Sequence, residues 1–321
     1  MTVVPVFFSS DDRYAPYLAT AVVSLISNAS LKRDGEDYSY RIVIMNEDLS
    51  EENRKRLSAL ARDGFSIEFA DMREKFALMS EKKSNRLRCD YFTMTIYARM
   101  FIPDMFPEHD KGIYLDSDIT VPGDILDLYS TDLEGNLIGA CVDESIQGVP
   151  PLLEYVERSV GVPHASYINS GILLMDMAKL REARIGDRFV ELLNKWHFDS
   201  IAPDQDYINA MCSGRILYLD GTWDTMPADG TPERSDPKLV HYNLFSKPWN
   251  YDGIQYEEYF WKYASLSGYL EDIRREKASY SDEQKALDSE NMKQLAVRGL
   301  QIVESGTTFR EAFNTGKEAR L

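Results

Sequence analysis

Short apolar runs alternate with helix-like segments through the first two-thirds of the chain. Val3 to Phe8 reads as a buried strand, and a polar loop from Ser9 to Arg13 follows it. Leu18, Val22, Leu25 and Ile26 recur at helical spacing and predict a helix from about Pro16 to Asn28. Arg41 to Met45 is a second strand. Ser50 then stands as an N-cap, with Glu51 and Glu52 in the first turn of a helix carrying Leu57, Leu60 and Ala61. Ser66 to Phe69 predicts a third strand, Thr95 to Phe101 the end of another helix, and further strands fall at Gly112 to Leu115, Leu137 to Cys141, Ile172 to Met175 and Ile216 to Tyr218. Strands separated by helices imply an α/β fold whose mostly parallel central sheet is flanked by helices. Ligands of such sheets collect beyond the carboxyl ends of the strands.

The pattern changes near residue 265. From Glu271 to Leu321 there is no proline, charges of both signs mix and helix formers dominate. The chain therefore divides into a domain over 1–264 and a helical C-terminal extension over 265–321. With 321 residues, 44% of them hydrophobic, a sizeable core can be buried. The formal charge of -17 excludes nucleic acid as the main partner and disfavours anything beyond peripheral membrane contact. Cys89, Cys141 and Cys212 are far apart and form no zinc pattern, which suits a reducing compartment. The N-terminus has no basic region ahead of its short apolar stretch, and no apolar run approaches bilayer length. These features predict a cytoplasmic protein.

No glycine-rich phosphate loop is present, so a bound nucleotide would need another means of neutralising its phosphates. Lys111 to Asp118 offers one. An apolar strand runs directly into Asp116 and Asp118, and two carboxylates at that spacing can share a face. Hard oxygen ligands suit Mg²⁺ or Mn²⁺, which can bridge to a pyrophosphate. The 29 aspartates alone give roughly two or three Asp-x-Asp triplets by chance, and Asp204/Asp206 is the second one here. His241 can supply a third ligand and shift preference toward Mn²⁺, and Lys247 can balance a phosphate.

Together, FFSSDDRYAPYLATAVVSL (7–25), YLDSD (114–118), INSGILLMDM (168–177), PDQDYIN (203–209) and HYNLFSKPW (241–249) resemble glycosyltransferase family 8, including its bacterial lipopolysaccharide galactosyl- and glucosyltransferases and, more distantly, glycogenin. The resemblance implies a fold of the nucleotide-diphospho-sugar transferase (GT-A) type. It also implies retaining transfer of a hexose from a UDP-sugar, UDP-glucose or UDP-galactose, to an acceptor hydroxyl of a glycan or lipid-linked glycan. Motif by motif, Asp116, Asp118 and His241 fall on metal ligands and Lys247 on the diphosphate contact. Ser9, Asp11 and Tyr14 fall on the uracil and ribose positions. Arg99, Asn169, Asp204 and Gln205 fall on donor-sugar contacts, and Asp143 faces the acceptor.

The sequence departs from the family pattern in four places. Asp12 and Arg13, rather than an amide, precede Tyr14; Leu244 replaces a glycine three residues after the histidine; Tyr91 stands where relatives can carry a histidine near the diphosphate. The basic C-terminal tail of some relatives is missing. A sugar-nucleotide pyrophosphorylase and a non-catalytic carbohydrate-binding protein are the competing classes. SSDDRY is the opposite of the basic, glycine-rich loop the former needs, and the intact metal and lysine positions speak against the latter. Gln205, a weakly basic amide, suits front-side displacement with a screening role better than it suits a nucleophile. The C-terminal segment could mediate pairing of two copies.

Overall fold

The computed structural model describes residues 1–79, 94–228, 230–304, 307–314 and 320–321. Tyr91 and Cys89 lie outside this set. The main sheet has eight strands: β1 (Thr2–Ser9), β2 (Lys32–Arg33), β3 (Glu36–Asn46), β4 (Phe65–Asp71), β5 (Lys111–Leu115), and three that come later in the chain. A two-residue strand β6 (Ile119–Thr120) follows β5, and then come β7 (Ile138–Ala140), β8 (Ile172–Asp176), β9 (Ile216–Tyr218) and β10 (Val240–His241). From one edge, the order is β4, β3, β1, β5, β8, β7, β9, with β2 on the start of β3 and β6 paired separately with β10.

Alternation along the strands decides which layer each side chain enters. In β1, Phe7 packs on one face with Val43, Met45 and Tyr114, whereas Val6 and Phe8 pack on the other with Ile42, Ile44, Ile113 and the buried face of helix Ala15–Asn28. Both faces are covered, which is why the strands read as continuous apolar runs. The predicted strands all form. The segment predicted to end a helix forms a 3-10 helix, Met94–Phe101, running into a short α-turn with Pro103 at its start.

The sheet is mixed rather than wholly parallel. β1 is parallel to β3 and β5, but β8 is antiparallel to both β5 and β7. The reversal sets the beginning of β8 beside the end of β5, with the Asp116 N–H donating to the Gly171 carbonyl at 2.8 Å. Across the β6–β10 ribbon, Ile119 faces His241, and the Tyr242 N–H donates to the Asp118 carbonyl at 2.9 Å. These two pairings carry the motifs at 116–118, 169–171 and 241 to one place.

Beyond residue 264 the chain forms helices Leu270–Ser279, Asp282–Val303 and Phe309–Asn314. The 22-residue helix opens on a capping box, Ser281 with Gln284. Its buried residues Leu295 and Ile302 join Tyr155 and Val156 in the core, and the Phe309 ring packs at a tilt, 4.1 Å from that of Phe198. Among the described residues, no helix is long and apolar enough to cross a membrane.

Candidate active site

Beyond the carboxyl ends of β1 and β5 lies a cavity of about 380 Å³. Ser9, Asp11, Tyr14, Arg99, Asp116, Asp118, Asn169, Asp204, Gln205, His241 and Lys247 all line it. Of the residues the motifs singled out, only Asp143 is set back from its surface, fully buried behind Gln205.

Asp116, Asp118 and His241 offer ligand atoms that lie within 4.8 Å of one another. His241 Nε2 is 3.9 Å from Asp116 Oδ2 and 3.4 Å from Asp118 Oδ1. The other oxygen of each carboxylate is already engaged. Asp116 Oδ1 accepts from Arg99 Nη2 and from the Tyr114 hydroxyl, both at 2.8 Å, and Asp118 Oδ2 pairs with Lys247 Nζ. Protein cations thus hold the outer edge of the pair and leave one oxygen on each aimed toward the imidazole.

The backbone makes room for this cluster at one point. A Cβ on Gly171 would sit 2.6 Å from His241 Cε1, 2.7 Å from Asp116 Oδ2 and 2.9 Å from Asn169 Oδ1. Two hard oxygens, one imidazole nitrogen and a floor without a side chain fit a divalent ion of the Mn²⁺ or Mg²⁺ type.

Burial shapes the charges here. It would raise Asp118, but the Lys247 charge and the hydrogen bond from His241 outweigh it, so the carboxyl is held well below its ordinary range. It would lower His241, but hydrogen bonds to Asp118 and Asp224 carry the imidazole up to about 10. Arg99 is 4% exposed, and Asp116 and Asp204 more than offset the cost of burying it, so its pKa is raised. The guanidinium lies 4.3 Å from the centre of the Tyr114 ring and 3.2 Å from Asp204 Oδ2.

A chain of buried polar contacts fixes the remaining residues. Ser170 Oγ donates to Asp204 Oδ2 at 2.9 Å, and its N–H donates to Gln205 Oε1 at 3.2 Å. Gln205 Nε2 donates to Asp143 Oδ2 at 2.7 Å. Both ends of the amide are therefore held, and its orientation is set by the protein. Asn169 Oδ1 accepts from the Gly171 N–H at 2.8 Å. Asp206, the second member of the other Asp-x-Asp triplet, points into the core and accepts from Ser200, Tyr155 and Tyr167. That triplet does not form a metal pair.

Beside the acidic pair, Ser9 shares a 2.9 Å hydrogen bond with Tyr114. Asp11 Oδ1 accepts from the Tyr14 N–H at 3.0 Å, and Oδ2 accepts from Arg13, so this carboxylate organises its own loop. Asp12 holds the loop to the start of helix Glu51–Ser58 by accepting from the Ser50 N–H and Asn53 Nδ2, both at 2.8 Å. Leu244, where relatives carry glycine, keeps a left-handed backbone with φ of 53°. The turn therefore retains a glycine-like path with a leucine in it, a conformation that costs about 1–2 kcal/mol.

Sequence reasoning missed Asp224. It accepts from His241 Nδ1 at 2.9 Å, both side chains are at most 2% exposed, and its second oxygen is buried without a partner. Ser170 and Gly171 also went unassigned, although they lie inside a recognised motif.

Residues 5–253 match the sequence profile of Glycosyl transferase family 8. The chain belongs to glycosyltransferase family 8. Similar proteins include a putative glycosyltransferase of Haemophilus influenzae, 27% identical over 225 residues, covering 70% of this chain and 64% of that protein. The Escherichia coli lipopolysaccharide 1,2-glucosyltransferase is 23% identical over 249 residues, covering 70% of this chain and 72% of that one. The chain spans less than two-thirds of several other relatives, 42% of GlyF and 31% of GlyA of Streptococcus pneumoniae. Among solved structures, the galactosyltransferase LgtC, in complex with donor and acceptor sugar analogues, is 25% identical with a TM-score of 0.66 over 82% of this chain and 96% of that one. The bifunctional glycosyltransferase WbbM has a TM-score of 0.73 at 23% identity, over 87% of this chain and 52% of that one, and shares the fold. The fold of this chain is thus of the GT-A type.

Proposed function

We propose that this chain transfers a hexose, glucose or galactose, from a UDP-sugar to an acceptor hydroxyl with retention of configuration. The observation that carries the reading is the inward-facing set Asp116 Oδ2, Asp118 Oδ1 and His241 Nε2, next to a buried set of hydrogen-bonded polar groups. LgtC is a galactosyltransferase and the Escherichia coli relative a glucosyltransferase, which supports a hexose donor.

Asp116, Asp118 and His241 would hold Mn²⁺, or Mg²⁺ in its place. A divalent ion there supplies positive charge to the diphosphate leaving group. Lys247 Nζ sits on the outer side of Asp118 and adds a second cation to the same end of the cavity. Asp11, Tyr14 and Ser9 line the end where base and ribose would lie. Arg99, Asn169 and Asp204 bind the sugar hydroxyls, because fixed, buried polar groups reject ligands that leave them unpaired at roughly 1–3 kcal/mol each. Gln205 is oriented from both ends, and its amide oxygen screens positive charge developing at the anomeric carbon. An amide is too weak a base for covalent attack, so the acceptor hydroxyl arrives on the face that UDP leaves. Asp143 lies directly behind Gln205 and fixes it on the acceptor side. The acceptor is a hydroxyl of a glycan or lipid-linked glycan.

The test is UDP release from UDP-glucose, UDP-galactose and their N-acetyl analogues, each with Mn²⁺, Mg²⁺ or EDTA. Ion-dependent release from one hexose donor is the expected result. Absence of UDP binding in the presence of Mn²⁺ would overturn the reading.

A further inference from the structure

Two helices of the C-terminal segment form part of the same cavity. Glu276 and Ser279 of helix Leu270–Ser279, Tyr280 just after it, and Gln284 and Asp288 of helix Asp282–Val303 line it together with Lys247 and Trp249. We propose that Lys277 and Asp288 are positioning residues for nucleoside-diphosphate binding, acting through the turn that carries Lys247. The inference rests on the donor reading above.

The turn is a single loop of helix-like backbone, with the Asn250 and Tyr251 N–H groups both donating to the Lys247 carbonyl at 3.0 Å. It delivers Lys247 to Asp118 and Trp249 to Tyr17, whose ring it stacks on at 4.0 Å. A one-turn element leaves its last carbonyls without partners and has little stability of its own. Lys277 supplies the missing donors. Its Nζ donates to the Pro248 carbonyl at 2.8 Å and to the Tyr251 carbonyl at 2.6 Å, a cap provided from outside the element.

Asp288 provides a second tie. Its carboxylate is 4% exposed in the middle of a helix, and Oδ2 accepts from the Tyr251 hydroxyl at 2.7 Å and the Tyr280 hydroxyl at 2.6 Å. A carboxylate buried there is retained because two phenols solvate it, and those phenols lock the turn to both C-terminal helices. Asn250 Oδ1, on the same turn, is buried at the cavity without a hydrogen-bond partner among the described residues. A turn held in this way presents its lysine, tryptophan and amide to a ligand already in place, and the affinity gained is the ordering cost avoided.

The full chain carries the test. Lys277→Met and Asp288→Leu remove the ties, and Lys277→Arg and Asp288→Asn keep the donors or the acceptor. UDP affinity with saturating Mn²⁺, Mn²⁺ affinity alone and thermal unfolding are measured for all four by calorimetry and circular dichroism. The expected result is UDP binding about tenfold weaker in Lys277→Met and Asp288→Leu, Mn²⁺ affinity within twofold of wild type, and recovery of most of the loss in the conservative pair. A tenfold change corresponds to 1.4 kcal/mol of lost preorganisation. Unchanged UDP affinity, or UDP and Mn²⁺ affinities falling in parallel with melting temperature, would overturn the inference while leaving the donor reading intact. Absence of UDP binding by the wild-type chain would instead overturn the donor reading, and the inference with it. Should Lys277→Met fail to fold, Tyr251→Phe deletes one hydroxyl, and unchanged UDP affinity there overturns the inference as well.

Discussion

His241 uses its two ring nitrogens for different tasks. Nδ1 donates to Asp224 at 2.9 Å, which turns Nε2 toward Asp116 and Asp118, where a divalent ion would take the place of its proton. Replacing Asp224 with alanine should lower Mn²⁺ affinity about 10- to 100-fold, as loss of a carboxylate behind a ligating histidine does elsewhere; titration with Mn²⁺ followed by electron paramagnetic resonance checks it. Asp224 was illegible in the sequence because nothing in Gly221 to Asp224 has a spacing relation to His241, and only the fold brings them together. Gln205 was legible, since it lies in a motif. Gln205→Ala should cut turnover about 10- to 100-fold through loss of fixed charge screening, while UDP affinity stays near wild type; steady-state kinetics and calorimetry separate the two. Asp206 answers a different question. Burial raises its pKa to about 6 despite the three hydroxyl donors. A carboxyl raised in the folded state contributes stability that is complete below its unfolded pKa and is lost as pH climbs through the folded value. Wild type should therefore lose stability relative to Asp206→Asn between about pH 4 and pH 6, by something on the order of 2–3 kcal/mol. Urea unfolding of both proteins across that range reads the difference directly.

At the scale of elements, the apolar runs announced every strand from β1 to β9 except the two-residue β2 and β6, which are too short to have a periodicity. Strand direction was not announced. A run such as Ile172 to Met175 has the same composition whichever way it points, so the antiparallel placement of β8 became visible only with the sheet. That placement is what the site depends on, because it brings Asn169, Ser170 and Gly171 against Asp116. The 3-10 geometry of Met94–Phe101 was equally hidden, since an apolar face with three- and four-residue spacing fits both kinds of helix. Gly171 tests the junction. Its missing side chain is the space in which Asp116 and His241 meet, with contacts of 2.6 to 2.9 Å awaiting any Cβ. Gly171→Ala should displace at least one of the two ligands and weaken Mn²⁺ binding tenfold or more, whereas secondary structure by circular dichroism stays that of wild type.

For the whole molecule the governing quantity is charge. The chain carries -17, and the cavity wall adds Asp11, Asp116, Asp118, Asp204, Glu276 and Asp288 against Arg13, Arg99 and Lys247. All three of those cations are committed, Arg13 on Asp11, Arg99 between Asp116 and Asp204 and Lys247 on Asp118, so the protein alone offers a diphosphate little uncompensated positive potential. A dianionic pyrophosphate entering such a wall is repelled unless an ion arrives with it. Nucleotide and metal should accordingly stabilise the fold together and not separately. UDP in EDTA is expected to leave the melting temperature within about 1 °C of the free protein, Mn²⁺ alone to raise it slightly, and the two together to raise it by several degrees. Ligand at 100 times its dissociation constant contributes about 2.7 kcal/mol, which for a chain of this size corresponds to roughly 4 °C. Differential scanning fluorimetry in a matrix of UDP, Mn²⁺ and EDTA measures all four corners. A full shift with UDP in EDTA would mean that Lys247 and Arg99 neutralise the diphosphate by themselves, and the acidic pair would then need a different role.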